Sequence, residues 1–387
     1  MPVLSRIAEY SDDMVTIRHD LHAHPELGFE ETRTAGIVAE KLRAWGIDEV
    51  HTHIAGTGVV GVIKGRGNDN RRIGLRADMD ALPILEEADL PYASTNPGKM
   101  HACGHDGHTT MLLGAARYLA ETRNFDGTAI VIFQPAEEGL GGARRMLAEG
   151  LFERFPCDEI YGLHNDPLRP AGQVCVKPGA AMAGASFFDI TVHGAGSHAA
   201  MPQQSRDPIV ITSALVQQLQ TIVSRNSPPT SPLVLSVTQF NAGSAYNVVP
   251  EAATIAGTIR YFEQEICDLA HQRIENICAG FEKAYGVKIT VELRNVFDVL
   301  VNDAKLSAAY IDAAREIVGD ANAQETEVQV TGSEDFADML KVIPGAYCWV
   351  GHQGSLPLHN PGFVLDDGIL PVGASIMARM VERRMPV

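Results

Sequence analysis

Apolar residues recur at helical spacing from Leu4 to Leu21, and Pro25, which cannot continue a helix, ends that run. A second helix is predicted near Glu31 to Trp45 and stops at Gly46. A third follows from Met111, Leu112, Ala115, Ala116 and Leu119. Between the last two, Val59, Val60, Val62 and Ile63 read as a strand. The overlapping Gly56-Thr57-Gly58-Val59-Val60-Gly61 matches GxGxxG, but that fingerprint needs a strand before it and a helix after it, so nucleotide binding is rejected there. Three short β-rich runs, Ile73 to Leu75, Ala129 to Phe133 and Ile160 to Leu163, each deliver polar residues at their carboxyl ends. With helical segments between them they predict parallel strands of an α/β sheet, whose ligand site lies beyond the strand carboxyl ends.

Small residues from Pro178 to Gly184 predict a linker, and the pattern then changes. Ser186 to His193, Leu233 to Phe240, Ala252 to Tyr261 and Val287 to Arg294 read as strands. Asp207-Pro208 reads as the N-cap and first position of a helix to about Arg225, and Glu263 to Tyr285 is helical. That order, βαββαβ, is the split βαβ arrangement of ferredoxin-like folds. After it, Leu306 to Val318 is again helical, Gly332 to Phe336 opens another helix, and Ala346 to Val350 is a strand that most simply completes the first sheet. The expected fold is α/β. A mixed-sheet domain with helices on both faces, made of 1–183 and 296–387, carries an inserted α+β domain at 184–295.

A chain of 387 residues with 45% hydrophobic and 20% charged positions can bury a large core, so disorder is not expected. The formal charge of −17 argues against nucleic acid or an anionic membrane as partner. Cysteines at 103, 157, 175, 267, 278 and 348 show no paired framework, which fits reduced thiols in a cytoplasmic protein. Neither a signal h-region nor an apolar run long enough for a bilayer is visible.

The chemistry concentrates in Met100-His-Ala-Cys-Gly-His-Asp-Gly-His108, where a thiol, three imidazoles and a carboxylate fall within nine residues. Such side chains bind borderline-soft transition metals. The glycines at 104 and 107 place the cluster on a loop entering a helix. Cys103 and His105 would point roughly 200° apart on a helix but to one side of an extended segment. A buried free cysteine among hydrogen-bonding histidines is the plainer alternative. The three strands contribute Asp78 and Asp80, Glu137 and Glu138, and His164, each unremarkable alone and suggestive together. His22 and His24 read more simply as a solvated helix end near the negative pole of its dipole than as ligands. The glycines at 139, 141 and 142 carry no GxxxxGK and predict only a tight loop opening a helix over Ala143 to Ala148.

With these motifs in place the sequence resembles the M20 metallopeptidases, in particular the amidohydrolase branch of aminoacylases, hippurate hydrolases and indoleacetyl-amino-acid hydrolases. The resemblance rests on His-Pro-Glu-Leu-Gly at 24–28, Arg-Ala-Asp-Met-Asp-Ala-Leu-Pro at 76–83, Met-His-Ala-Cys-Gly-His-Asp at 100–106 and Gln-Pro-Ala-Glu-Glu-Gly at 134–139. It continues through Gly-Ser-His-Ala-Ala-Met-Pro at 196–202, Asn-Val-Val-Pro at 247–250, Gly-Ser-Glu-Asp-Phe at 332–336 and Leu-His-Asn-Pro at 358–361. It implies two divalent transition-metal ions held by Cys103, His105, Glu138, His164 and His359, with Cys103 bridging and Glu137 as catalytic base. Members outside this branch have a His at the position of Asp78 and a bridging Asp at that of Cys103. The role of Asp78 is therefore open, and Asp80 is expected only to support the ligands. The resemblance also implies that the inserted domain pairs two subunits in a homodimer or dimer-based tetramer. His198 would then reach the partner's site, while Asn247 and Arg260 hold the substrate near its carboxylate. Read from the residues alone, His198 is a loop histidine after a strand, and Arg260 could equally form a structural ion pair.

Amide hydrolysis at neutral pH needs an activated nucleophile, and metal coordination lowers the pKa of water from 15.7 toward about 7. Thiolate and imidazole ligands favour Zn, Mn, Ni or Co over Mg or Ca. The leading expectation is hydrolysis of a small N-acyl or N-aroyl amino acid. Alternatives are a dipeptidase or N-acetyl-diaminopimelate deacetylase with the same mechanism, a silent binding protein on this scaffold, and a two-metal phosphoesterase. The last would need a cationic clamp, for which Arg76, Arg144 and Arg145 are the nearby candidates in sequence.

Overall fold

The computed structural model describes residues 3–67, 69–354 and 356–387. Contacts divide the chain into two compact units. One contains Met1–Gly179, Val301–Val328 and Asp335–Val387, the other Ala180–Leu300 and Gln329–Glu334. The chain first lays down β1 (Glu49–Ile54), β2 (Gly58–Lys64), β3 (Arg72–Asp78), β4 (Thr128–Gln134), β5 (Glu159–Asp166) and β6 (Val174–Val176). It enters the second unit with β7 (Gly184–His193), β8 (Leu233–Ala242), β9 (Ala252–Tyr261) and β10 (Lys288–Phe297), and returns to the first with β11 (Ala323–Glu325) and β12 (Gly345–Gly351).

In the first unit eight strands form a mixed sheet in the order β1-β2-β4-β3-β5-β12-β6-β11. The central β4, β3, β5 and β12 are parallel, with Asp78 opposite Gln134 and Trp349 opposite His164. Their sequences are apolar runs rather than alternating patterns because they are buried on both faces. Helices Ser11–Ala23, His105–Thr122, Ala304–Val318 and Leu370–Arg384 contribute apolar faces to the same core. Parallel pairing brings the ends of β3, β4 and β5 to one edge, where a ligand site is expected.

The second unit is the predicted βαββαβ block. Its four antiparallel strands run β8-β9-β7-β10, and one sheet face shares a core with helices Pro208–Thr221 and Gln264–Tyr285. Burial alternates along β7, with Phe188, Ile190 and Val192 inside and Phe187, Asp189 and Thr191 more open, as a sheet covered on one face requires. Asp207 caps the first helix by accepting from Ile209 N at 2.9 Å, and Pro208 occupies its first turn.

Two elements depart from the sequence expectation. The single N-terminal helix is two, Ser5–Ala8 and Ser11–Ala23, because the Tyr10 N–H turns back to Ile7 O and its ring docks with its hydroxyl on Glu121. Gly179–Met182, expected as linker, is a short strand. Among the described residues no helix is long and apolar enough to cross a membrane.

Candidate metal centre

Each strand end in the first unit delivers its polar residues through a local device. Gly104, at φ +92, turns the chain sharply between Cys103 and His105, and His105 opens the helix His105–Thr122. The two side chains converge through this left-handed bend and not through the extended segment predicted for them; a left-handed residue reverses the chain more tightly than a strand can. After β4, Ala136 at φ +55 turns the backbone before Glu137 and Glu138. His359 also has positive φ, +63, and its N–H donates to Ala102 O at 2.8 Å, which ties its loop to the cysteine segment. Non-glycine residues in this region carry strain, and such strain concentrates at functional sites.

Two sets of donors share one sulfur. Cys103 groups with His105 and His164, and again with Glu138 and His359, the donor atoms of each set lying within 4.8 Å of one another. Cys103 Sγ is 3.4 Å from His164 Nε2, and Glu138 Oε1 is 3.3 Å from His359 Nε2. Among the described residues His105 Nε2 and Glu138 Oε1, 4.0 Å apart, are buried atoms without a hydrogen-bond partner. Buried polar atoms in that state are costly in a native fold unless something else engages them. A thiol, imidazoles and a carboxylate around two such atoms fit a pair of divalent transition-metal ions.

The electrostatics agree. Burial works against a charged His105, but Asp78 and Cys103 beside it push its pKa well above the usual histidine range. The Cys103 sulfur and the Glu138 carboxylate beside it raise His359 to about 10. Burial, then the neighbouring His108, holds His164 well below its ordinary value, as a neutral donor requires. Burial and the Glu138 carboxylate push the Cys103 thiol up. The Asp78 and Glu138 carboxylates thus favour protons on His105 and His359, and a dication binds by displacing such protons.

Asp80 supports this arrangement without joining either shared-sulfur set. Its Oδ1 and Oδ2 accept the backbone N–H groups of Glu137 and Glu138, both at 3.0 Å, and Oδ1 lies 3.3 Å from His105 Nδ1. One carboxylate thus orients a histidine and both glutamates. Glu137 is buried, and its Oε1 accepts from Asp335 N at 3.4 Å. Asp78 is spoken for: Oδ1 meets His108 Nδ1 at 2.6 Å and Oδ2 accepts from Arg76 Nη1 at 2.8 Å. Arg76 also donates to Gln134 and Asp335, Arg144 pairs with Asp338 at 3.0 Å and Arg145 with Glu149 at 3.3 Å. The candidate phosphate clamps are therefore engaged elsewhere.

His22 departs from the reading as a solvated helix end. It is fully buried, with Nδ1 2.8 Å from Asp106 Oδ2, and Arg18 Nε donates to the same oxygen at 2.8 Å. The helix end packs inward because Arg18 and Asp106 supply a buried charge pair that accommodates the ring. His24 stays at the helix end, bonded to Asp20 O at 2.8 Å. The sequence reading missed Asn165, which follows His164 and contacts Cys103, His108 and His352; its only signal is a polar side chain at a strand end beside a candidate ligand.

The remaining candidates lie in the second unit. His198 is exposed on a two-residue strand whose partner is Val248, and Ala199 N donates to Asn247 O at 3.0 Å, so one ribbon carries His198 and Asn247. His198 Nδ1 accepts from Ala200 N at 3.1 Å, which leaves Nε2 as the protonated nitrogen. Arg260 on β9 bonds Thr258 Oγ1 and Ile259 O, has its pKa pulled down by burial, and makes no ion pair among the described residues. The structural ion pair considered for it is absent there.

Comparison with known proteins matches residues 74–383 to the model of peptidase family M20/M25/M40. The hippurate hydrolase of Campylobacter jejuni is 41% identical over 98% of this chain and 98% of its own length. The N-acetyldiaminopimelate deacetylase of Exiguobacterium sibiricum is 38% identical over 94% of this chain and 96% of its own length. The crystal structure of the Bacillus subtilis YXEP protein, described as a dinuclear metal-binding peptidase of the M20 family, superposes with a TM-score of 0.84 at 33% identity, covering 98% of this chain and 99% of that one. The matches span nearly the whole chain and include every segment that forms the centre, so the chain belongs to peptidase family M20/M25/M40 and is a metal-dependent hydrolase of amide bonds.

Proposed function

We propose that the amide cleaved is that of a small N-acyl or N-aroyl amino acid, of the hippurate or N-acetyl type, giving a carboxylic acid and a free amino acid. The observation that carries this reading is the pair of donor sets joined at Cys103 with the Glu137 carboxyl beside them. Cys103, His105, His164, Glu138 and His359 would hold two divalent ions, Zn, Mn, Ni or Co by donor type. When bound, such ions polarise the amide carbonyl and lower the pKa of water.

This chain's own residues do the rest. Glu137 accepts the proton of the attacking water and delivers it to the departing amine nitrogen, with Asp80 and Asp335 N–H holding its backbone and carboxyl. His198 offers an Nε2–H to the developing oxyanion. Arg260, without an ion pair among the described residues, and Asn247 receive the substrate's carboxylate. The hippurate hydrolase relative favours this substrate class, while the deacetylase relative keeps N-acetyl substrates in the same test.

The first unit serves as the catalytic domain and the second as the dimerisation and lid domain of a cytoplasmic homodimer. The second unit ends its sheet in β8, an edge strand with exposed Val234 and Phe240, and exposes Ile209 and Val210 on a nearby helix, an apolar edge of the kind a partner covers. The decisive assay offers hippurate, N-acetyl amino acids, dipeptides and a phosphodiester to chelator-stripped protein, with and without Zn, Mn, Ni or Co. Metal-restored cleavage of the acyl amino acids is expected; activity confined to the phosphodiester, or none with any metal, would end the proposal.

A further inference from the structure

Asn165 bonds at once to Cys103, His108, His164 and His352. It is 1% exposed, at the carboxyl end of β5. Its Nδ2 donates to the Cys103 carbonyl at 2.6 Å and lies 3.0 Å from His108 Nε2. Its backbone N–H donates to the same His108 nitrogen at 3.0 Å, and its carbonyl accepts from His164 Nδ1 at 2.7 Å. The remaining atom, Oδ1, accepts from Nε2 of the buried His352 at 3.1 Å. The amide orientation follows: turned over, Oδ1 would face a carbonyl oxygen and an imidazole lone pair.

These bonds divide the histidines. His164 has its proton on Nδ1, so Nε2 presents a lone pair toward Cys103. His108 has Nε2 occupied by Asn165 and Nδ1 by Asp78, so neither nitrogen is available to an ion. His105, which Asn165 does not touch, keeps a buried Nε2 without a hydrogen-bond partner among the described residues. Gly104 belongs to the same device, since a Cβ there would sit 2.3 Å from Asn165 Nδ2.

We propose that Asn165 is the positioning residue of the ligand set: its side-chain amide holds the Cys103 carbonyl so that the sulfur faces the ions, while its backbone carbonyl turns His164 Nε2 inward and its N–H helps withdraw His108. This rests on the reading of Cys103, His105 and His164 as metal ligands. It adds a residue that touches neither ion nor substrate but decides which donors do, as outer partners of metal ligands do elsewhere.

The test uses the full chain. In protein labelled with 15N-histidine, adding zinc should move the His164 and His105 Nε2 resonances while His108 keeps its proton on Nδ1. Asn165→Ala and Asn165→Asp both remove the donor to Cys103. Each should weaken metal binding about 10- to 100-fold in chelator competition. Each should also weaken the thiolate-to-cobalt charge-transfer band of the cobalt-loaded protein without changing its circular dichroism. His352→Gln, which keeps a donor for Oδ1, should stay near wild type on both readouts. The assignment is overturned if a folded Asn165 variant binds cobalt with wild-type affinity and spectrum, or if His108 coordinates zinc in the unaltered chain. The second readout needs no variant, so it decides the matter even where a substitution prevents folding. A wild-type chain that takes up no metal would instead overturn the metal-centre reading, and this assignment with it.

Discussion

Glu137 and Glu138 leave one strained turn in different directions, the first toward Asp335 N and the second toward His359 and His105. Glutamine at 137 keeps the oxygen that accepts from Asp335 but cannot take a proton. Glu137→Gln should therefore retain both metals and lose turnover about 10²- to 10⁴-fold, measured as kcat beside metal content. Retained activity would remove Glu137 from the proton transfer. The sequence made much of this site legible, because residue type alone restricts transition-metal ligands to a few side chains and those cluster in short motifs. It left Asp78, His22 and Asn165 unresolved for one reason. Their roles depend on which partner each finds in the fold, Arg76 and His108 for Asp78, Arg18 and Asp106 for His22, and nothing in local sequence encodes a contact between distant positions.

The central strands and the βαββαβ block could be read because burial on two faces and burial on one face leave different periodicities. The break at Tyr10 could not, since apolar spacing continues through it and a tertiary contact with Glu121 holds the turn. The bend at Gly104 was visible as a glycine but not as a left-handed one. Gly104→Ala should cost about 1–3 kcal/mol from backbone strain alone, and the clash with Asn165 should lower metal occupancy as well. Thermal melts with and without zinc would show the stabilisation by metal shrinking in the variant; an unchanged shift would mean the bend is not needed.

At the start of β5 the Glu159 carboxylate accepts from Arg384 at 2.5 and 2.8 Å, Arg71 at 2.6 Å and Tyr161 at 2.8 Å. Burial opposes its charge, but the arginines outweigh that and lower its pKa. A depressed folded pKa contributes stability above the unfolded value, near 4.3, that is lost as pH falls through the folded one. Glu159→Gln should cost about 1–3 kcal/mol at pH 7. The gap to wild type in denaturant titrations should narrow once the pH drops below about 4.3. A gap that widens on acidification would reverse the assignment.

At the scale of the whole molecule, His198 and the Cys103 centre belong to different compact units. If each site of a closed two-fold dimer is completed by the partner's second unit, a site needs Glu137 from one subunit and His198 from the other. Glu137→Gln and His198→Ala homodimers should then both be nearly inactive while holding their metals. In a mixed dimer the subunit with Glu137 intact receives His198 from its companion, whereas the other site lacks both groups. One of its two sites works. Random reassortment makes half the dimers mixed, so co-expressed variants should recover about a quarter of wild-type activity, the signature of complementary isologous sites. If His198 serves its own subunit, no assortment rebuilds an intact site and the mixture stays inactive. A charge on the exposed apolar edge, as in Phe240→Lys, supplies the companion measurement: under the same model it should yield sedimenting monomers that keep their metals and lose turnover.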